Sequence, residues 1–217
     1  MRRFPSVIGC IDGTHIRIQA PAQEEHEFIN RKNFHSINVQ VICDADMCFI
    51  NGIAKWPGSV HDARSFRQSP LFADFEGNKP PLDGIILGDS GYMLRTWLMT
   101  PIMNPTTRKQ TNFNFAHSST RTTVERSIGV AKQRFHCLRC GLRLQPPKAC
   151  KVSIVCFMLH NHARRQKLPP PDDATNPSSI SEDGDDGDDC TTQQTISERT
   201  RTAAGKTVRD RIINECF

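Results

Sequence analysis

The order of its β-type and helical segments is the feature of this sequence that most constrains its fold. Three runs rich in β-branched or alternating residues come first, at Ser6 to Ile18, Ser36 to Cys43 and Cys48 to Trp56. A helix is predicted next, over Ser59 to Phe66 with Ser59 as its N-cap. The apolar run Ile85 to Gly88 then predicts a fourth, buried strand, and helices come after it. This order predicts an α/β fold in which helices flank a mixed sheet.

An apolar stripe marks a helix in the second half of the chain. From Thr120 onward, apolar residues recur at helical intervals, at Val124, Ile128, Ala131, Phe135 and Leu138. Glu125 lies just beside that stripe, on a face that it shares with Arg121 and Lys132. The helix can therefore pack on the sheet while it presents Glu125 and a lysine to a site.

The last third of the chain divides into three predicted segments. Val152 to Leu159 is apolar on all sides and predicts a buried helix with a basic, exposed end. A disordered acidic linker is predicted over 168–198, because it contains six carboxylates in the eight residues 182–189. A short C-terminal helix is predicted over 199–217 from the spacing of Val208 and Ile212. Residues 1–167, which precede the linker, are predicted to form one domain.

Length and composition exclude several classes of protein. A chain of 217 residues can bury one sizeable core. It contains no apolar run of the roughly eighteen residues that a membrane helix needs, and it starts without the apolar segment of a secretory signal. The nine cysteines are odd in number and scattered, which fits a reducing compartment. We therefore expect a soluble intracellular protein.

The net charge of +5 conceals two regions of opposite charge. Residues 1–168 carry 23 Lys and Arg against 12 Asp and Glu, whereas residues 169–217 carry 5 against 11. A body with this excess of positive charge predicts a polyanionic partner, and nucleic acid is the commonest one. A basic protein with an acidic, solubilising tail is the competing interpretation.

Two aspartates stand where phosphodiester chemistry would need them. Asp12, in Gly-Cys-Ile-Asp-Gly, and Asp89, in Leu-Gly-Asp-Ser-Gly, each follow an apolar run and are flanked by glycine. Such carboxylates can bind hard divalent cations, which activate water and stabilise a leaving oxygen. Either motif alone is more often an ordinary turn, so the pattern gains weight only in combination.

A series of short motifs occurs in the chain in a fixed order. The motifs are Gly9 to Ile18, Asn30 to Lys32 with His35 to Gln40, Trp56 to Asp62, Gly88 to Tyr92, and Thr120-Arg121 with Val124 to Arg126. Together they resemble the Harbinger transposase-derived nucleases, a branch of the PIF/Harbinger DDE transposase superfamily. The resemblance covers about residues 6–165 and implies an RNase H-like fold.

The resemblance also implies a site and a chemistry. The catalytic carboxylates would be Asp12, Asp89 and Glu125, and Asp62 would join them as a metal ligand. At a helix N-terminus, however, an aspartate can simply stabilise the helix dipole. The cofactor would be Mg²⁺ or Mn²⁺, in a pair of ions, and the reaction would be attack of water or a DNA 3′ hydroxyl on a phosphodiester. The enzyme would be a metal-dependent DNA endonuclease.

The family's partners follow from the same resemblance. We expect Arg121, Arg126 and Lys132 to contact DNA phosphates, although each can equally be a solvated helix charge. Family members carry an N-terminal helical, DNA-recognising region before the first catalytic strand, so this sequence looks N-terminally incomplete. A partner with a Myb-like DNA-binding domain would then supply targeting. Nuclear residence and a homo-oligomer are further expectations.

Alternatives remain open at this point. The chain could be a catalytically silent DNA-binding or assembly module derived from a transposase, or a metal-dependent phosphatase or RNase that uses the same carboxylates. Cys137, Cys140, Cys150, Cys156 and His160 invite a zinc interpretation, which their irregular spacing disfavours. His15, His35, His61 and His117 are interpreted as groups that support the carboxylates rather than bind substrate.

Overall fold

A computed structural model describes residues 4–77, 84–171 and 196–217. These residues form a five-stranded mixed sheet with the spatial order β3-β2-β1-β4-β5. The strands are β1 Val7–Arg17, β2 Ser36–Cys43, β3 Phe49–Pro57, β4 Ile85–Leu87 and β5 Leu98–Met99. The predicted α/β, RNase H-like mixed sheet with flanking helices is confirmed.

The register of the sheet places the end of β4 beside the middle of β1. The first three strands are antiparallel neighbours, with Cys10 opposite Cys43 in β1 and β2. The strand β4 runs parallel to β1, with Leu87 next to Cys10, and β5 runs parallel to β4. Asp89, two residues beyond Leu87, therefore comes close to the part of β1 that holds Asp12.

Six α-helices occur among the described residues, together with a 3₁₀ turn at Glu25–Phe28. They are α1 Asp62–Arg67, α2 Pro70–Glu76, α3 Arg108–Arg134, α4 His136–Cys140, α5 Pro146–Arg165 and α6 Ile196–Cys216. No helix of the described ranges combines the length and the apolar character that crossing a membrane requires.

Alternate residues of the strands supply two apolar cores, one on each face of the sheet. On the α3 face, Cys10 and Ile16 of β1 pack in a cluster with residues of α3, α5 and α6. On the α1 face, Ile11 packs in a smaller aromatic cluster with Phe66 of α1 and residues of α2. Helices therefore cover the sheet on both sides. This explains why every residue of the central strand β2 is buried.

The helix predicted from Ser59 starts three residues later in the chain, at Asp62, with His61 as its N-cap. The prediction was wrong because the backbone before Asp62 forms a turn. The Val60 amide donates to Pro57 O at 3.0 Å, and the Ser59 amide donates to Glu27 O at 3.0 Å. These bonds leave Ser59 outside the helix.

The helix predicted from Thr120 onward is α3. It begins at Arg108, twelve residues before Thr120, and ends at Arg134, before the last two residues of the apolar stripe. Thr107 and Gln110 form a capping box at the start of α3, and the following turns are largely polar, so hydrophobic spacing did not reveal them. Phe135 already ends α3, and Leu138 belongs to α4, although both pack in the core.

The prediction that Val152 to Leu159 forms a buried helix was wrong in part. The segment is helical within α5, but Val155, Met158 and Leu159 are 50%, 65% and 49% exposed. Cys156 and Phe157 of the same helix face the sheet and are buried. A helix on a sheet buries one side, so the apolar outer side could not be assigned from composition alone.

The C-terminal helix α6 starts at Ile196 rather than at residue 199 and packs back on the domain. A Cβ on Gly205 would lie 3.0 to 3.1 Å from backbone atoms of Arg95, so the helix backbone makes close contact there. Phe217 joins Phe4 and Phe113 in an aromatic cluster. Most of the predicted acidic linker lies at 172–195, outside the described residues, and the domain boundaries stay a prediction.

Candidate active site

Asp12 lies in the middle of β1 and faces α3. Its side chain is 18% exposed, and its Oδ1 accepts a hydrogen bond from the Gly13 amide at 3.0 Å. The Arg121 guanidinium of α3 lies 3.5 Å from the same oxygen. Asp12 is therefore an acid enclosed by a strand and a helix, with one cation beside it.

Glu125 lies one helical turn after Arg121 and borders the same space. Arg121 Nη1 is 3.6 Å from Glu125 Oε1, so one guanidinium joins two of the predicted carboxylates. The Glu125 side chain is 52% exposed, whereas that of Arg121 is 14% exposed. The acid therefore stands at the mouth of the site and the arginine stands inside it.

Asp89 follows β4 at the point where this strand leaves the sheet. Its Oδ1 accepts a hydrogen bond from the Gly91 amide at 2.9 Å, and the Tyr92 amide donates to its backbone oxygen. This local turn fixes the carboxylate at the end of the strand, which is where open sheets commonly bind ligands.

Asp62 approaches from the α1 face of β1. Its carboxylate lies directly over Gly13, where a side chain on that residue would collide with it. Asn38 Nδ2 donates a hydrogen bond to Asp62 Oδ1 at 2.5 Å. The first residue of α1 is thus held against the residue next to Asp12.

The pKa of Asp12 depends on the charges of the other three acids. Burial raises the pKa of the Asp12 carboxyl to about 7, and the charge of Arg121 opposes this shift. The negative charges of Asp89, Asp62 and Glu125 each raise the same pKa further. The other three acids that the sequence singled out therefore lie within electrostatic reach of Asp12.

Hard oxygen donors are the ligands that Mg²⁺ and Mn²⁺ prefer, and this group supplies carboxylates alone. A cation among them would also offset the repulsion that raises the pKa of Asp12. The donor chemistry therefore fits a hard divalent cation. Within residues 4–77, 84–171 and 196–217, however, no three or more Asp, Glu, His or Cys side chains form a group that could hold a metal ion as they stand.

The other predicted site residues lie on or near α3. Arg126 is exposed on α3, and Lys132 Nζ donates to His15 O at 3.3 Å on β1. Arg121 points inward to the acids rather than outward to solvent. Contact with DNA stays a prediction for these three residues.

Three polar residues of the site region were not singled out from sequence. Gln40 of β2, which is 3% exposed, donates from Nε2 to the Tyr92 hydroxyl at 2.9 Å. Burial raises the pKa of Tyr92, and the charges of Asp62 and Asp12 add to it, so its hydroxyl stays protonated. In the sequence, Asn38 and Gln40 alternate with valine along the strand. This alternation indicates that two amides lie on the same face of the strand.

The cysteines do not gather into a zinc site in the described part of the chain. Cys137 and Cys140 are exposed, and Cys140 Sγ lies 2.8 Å from His136 Nε2 on the same short helix. His160 is buried against Met47 O at 3.1 Å.

The four histidines near the site have different surroundings. His15 Nδ1 contacts Ser36 Oγ at 3.1 Å, His35 pairs with Glu25 at 2.8 Å, and His61 contacts Arg31. His117 of α3 is 2% exposed and contacts Met99 O from Nε2 at 3.1 Å. None of these contacts is with one of the four acids.

Buried His117 predicts a loss of stability in mild acid. Burial lowers its pKa from 6.5 to about 4. Below pH 6.5 the unfolded chain takes up a proton that the folded protein does not bind until about pH 4, so stability falls across this window. The loss approaches about 3 kcal/mol. We expect a fall in pH from 7 to 5 to change the free energy of unfolding more favourably in His117→Gln than in the wild type, as measured in urea. The substitution removes the His117 loss and leaves the opposite contribution of Asp12 in place.

The matched control for this pH effect is His26→Gln, because His26 is exposed on the 3₁₀ turn. It should keep the wild-type difference between the two pH values. An unchanged pH dependence in His117→Gln would show that His117 is not neutral in the folded protein.

Comparison with known proteins decides the family. Residues 11–161 match the DDE superfamily endonuclease family. The chain belongs to this family. The matched region begins just before Asp12 and ends near the end of α5, so it includes Asp62, Asp89 and Glu125.

Individual relatives agree with the family match. "Putative nuclease HARBI1" of Rattus norvegicus is 38% identical over 161 residues, which cover 73% of this chain and 46% of that protein. The Homo sapiens protein of the same name is 37% identical over the same shares. "Protein ALP1-like" of Arabidopsis thaliana is 34% identical over 176 residues, 73% of this chain and 43% of that protein. The predicted resemblance to Harbinger transposase-derived nucleases is confirmed.

The chain spans somewhat less than half the length of these relatives. No solved structure matches it.

Proposed function

We propose that this protein is a divalent-metal-dependent DNA endonuclease whose site is formed by Asp12, Asp62, Asp89 and Glu125. The observation that carries the proposal is that Asp62, Asp89 and Glu125 lie within electrostatic reach of Asp12, with the Arg121 guanidinium within 3.6 Å of both Asp12 and Glu125. Membership of the DDE superfamily endonuclease family and relatives named as nucleases point to the same chemistry.

The four carboxylates would share the work of holding the cofactor. A pair of Mg²⁺ or Mn²⁺ ions supplies an activated water and stabilises the leaving oxygen when it is bound. Asp12, Asp89 and Glu125 would be its principal ligands, and Asp62 would be the fourth. The enclosed position of Asp12 excludes bulk water from one side of the site, which strengthens electrostatic interactions there.

Arg121 gives the site a positive group that the carboxylates alone lack. Its guanidinium lies 3.5 Å from Asp12 and 3.6 Å from Glu125, so it offsets part of their repulsion. A phosphodiester drawn into the site would meet the same guanidinium, which can stabilise charge that develops on a phosphate oxygen. Arg126 and Lys132 extend the positive field along α3 for contacts with the DNA backbone.

The wider setting of the activity follows from the family resemblance. Nuclear residence, targeting by a partner with a Myb-like domain and a homo-oligomer belong to this proposal. Light scattering on the purified protein tests the homo-oligomer. A monomeric mass at the concentration used for cleavage would contradict this part of the proposal. Binding to a purified Myb-like domain and imaging of the tagged protein test the other two.

Cleavage of supercoiled plasmid DNA is the direct test of the proposed function. We expect nicked and linear DNA to accumulate with Mg²⁺ or Mn²⁺ and to disappear with a chelator. DNA binding without cleavage in either metal would overturn the proposal and favour the silent DNA-binding module. Cleavage of RNA or of a phosphate monoester, with DNA left intact, would redirect it to another phosphate substrate.

A further inference from the structure

Two buried amides lie on β2 beside the fourth carboxylate. Asn38 and Gln40 are 1% and 3% exposed, and their alternate positions place both side chains on the α1 face of the sheet. In the register of the sheet, Gln40 is opposite Gly13, and the Asp62 carboxylate lies over that glycine. Buried amides need hydrogen-bond partners, so the partners of these two indicate what they do.

Asn38 contacts Asp62 and the residue two positions before it. Its Nδ2 donates to Val60 O at 2.9 Å and to Asp62 Oδ1 at 2.5 Å. Both partners are acceptors, so the amide can only present its nitrogen to them. The orientation of the Asn38 side chain is therefore set by the chain segment that leads into α1.

Gln40, two residues further along β2, also contacts Asp62. Its Nε2 donates to Asp62 O at 3.2 Å and to the Tyr92 hydroxyl at 2.9 Å. One amide therefore connects the backbone of Asp62 with a buried tyrosine from the loop that follows Asp89. Tyr92 is 4% exposed and packs under Gly88, so this connection lies inside the domain.

The start of α1 has few means of holding its own position. The helix has only six residues, and its N-cap His61 makes no side-chain capping bond. Helices this short are unstable in isolation. The hydrogen bonds from Asn38 and Gln40 to Val60 O and Asp62 O therefore fix the point where the helix begins.

We infer that Asn38 and Gln40 are positioning residues that hold the Asp62 carboxylate against β1 for metal binding. The inference rests on the proposed function, because it takes Asp62 to be a metal ligand. Residues that orient a ligand from behind commonly change metal affinity by about 10- to 100-fold when they are replaced. Neither amide needs to contact the metal or the DNA for this role.

The test replaces each amide by an apolar residue of similar size. Asn38→Leu and Gln40→Met remove the donors and keep most of the volume. We expect Mn²⁺, titrated by calorimetry without DNA, to bind about 10- to 100-fold more weakly to Asn38→Leu and, to a smaller degree, to Gln40→Met. Hydrogen exchange without metal should speed up at the amides of Ser65 and Phe66 in α1.

Val39→Ala is the matched control. Val39 lies between the two amides, is fully buried, and projects to the opposite face of the sheet. Its truncation destabilises the core, so unfolding alone would affect it as well. We expect its Mn²⁺ affinity and its exchange in α1, relative to the rest of the protein, to match the wild type.

Three outcomes separate this inference from the proposed function. Wild-type Mn²⁺ affinity in both amide variants would overturn the positioning role, even if both are less stable. Weaker binding to the amide variants and to Val39→Ala alike would overturn it too, because general destabilisation would then explain the change. If the wild type itself binds no Mn²⁺, the proposed function fails, and α1 exchange in Asn38→Leu still decides whether the amide holds α1.

Discussion

Asp12→Asn is expected to abolish metal-dependent DNA cleavage and, in the same molecule, to stabilise the metal-free fold. The substitution keeps the shape of the side chain and removes the negative charge that we propose binds metal on the enclosed side of the site. Stabilisation by metal ions contributes several kcal/mol to such reactions, so the cleavage rate should fall by about 10³-fold or more. Plasmid cleavage at saturating Mg²⁺ or Mn²⁺ measures this loss.

The stability half of this prediction follows from the raised pKa of Asp12. Burial moves its pKa from 3.8 to about 7, so between these pH values the folded protein binds a proton that the unfolded chain releases. Stability contributed by this group therefore falls as pH rises from 3.8 to 7 and stays low above it. Asparagine avoids the loss, which amounts to at most about 4 kcal/mol. Thermal unfolding in chelator at pH 8 should show the gain.

Asp74→Asn is the control for both halves. Asp74 is exposed on α2, so the same chemical change should leave cleavage and stability near wild-type values. If Asp12→Asn still cleaves DNA at the wild-type rate, Asp12 is not needed for the reaction. Lower stability of this variant in chelator would show that Arg121 compensates the Asp12 charge more than burial and the neighbouring acids oppose it.

The sequence predicted those parts of the fold and site whose signals are local. Apolar runs predicted β1 to β4, and glycine-flanked aspartates after such runs pointed to Asp12 and Asp89. The strand β5 is only Leu98–Met99, which is too short to show a period of two. Its pairing with β4 is a tertiary fact rather than a local one.

Features that depend on what packs opposite a residue could not be predicted. The polar first half of α3 is held by a capping box and by packing, neither of which gives an apolar stripe. The outer side of α5 exposes Met158 although its composition resembles a core helix. Asn38 appeared only as a member of a motif, because its role depends on Asp62, which is 24 residues away in sequence.

Gly13→Ala is expected to disable the site without removing any of its acids. An ideal Cβ on Gly13 would overlap all three atoms of the Asp62 carboxylate group, which must therefore move away from β1. The carboxylate would also leave the hydrogen bond from Asn38 Nδ2. We expect cleavage to fall by about 10²-fold or more, since small misplacements of a catalytic group have effects of this size. Plasmid cleavage and Mn²⁺ titration measure the change.

Gly52→Ala is the matched control, because it makes the same substitution in β3. A Cβ on Gly52 would make ordinary contacts, 3.5 Å from Ile154 Cδ1 and 3.8 Å from Val41 Cγ1. Alanine at a compatible site reduces the entropy of the unfolded chain, so this variant should be as stable as the wild type or more stable, and fully active. If Gly13→Ala were equally active, Asp62 could not be required in the position that the structure gives it. If Gly13→Ala loses activity and Gly52→Ala does not, the site requires the Asp62 carboxylate to lie against Gly13, and the mere presence of the acid is not enough.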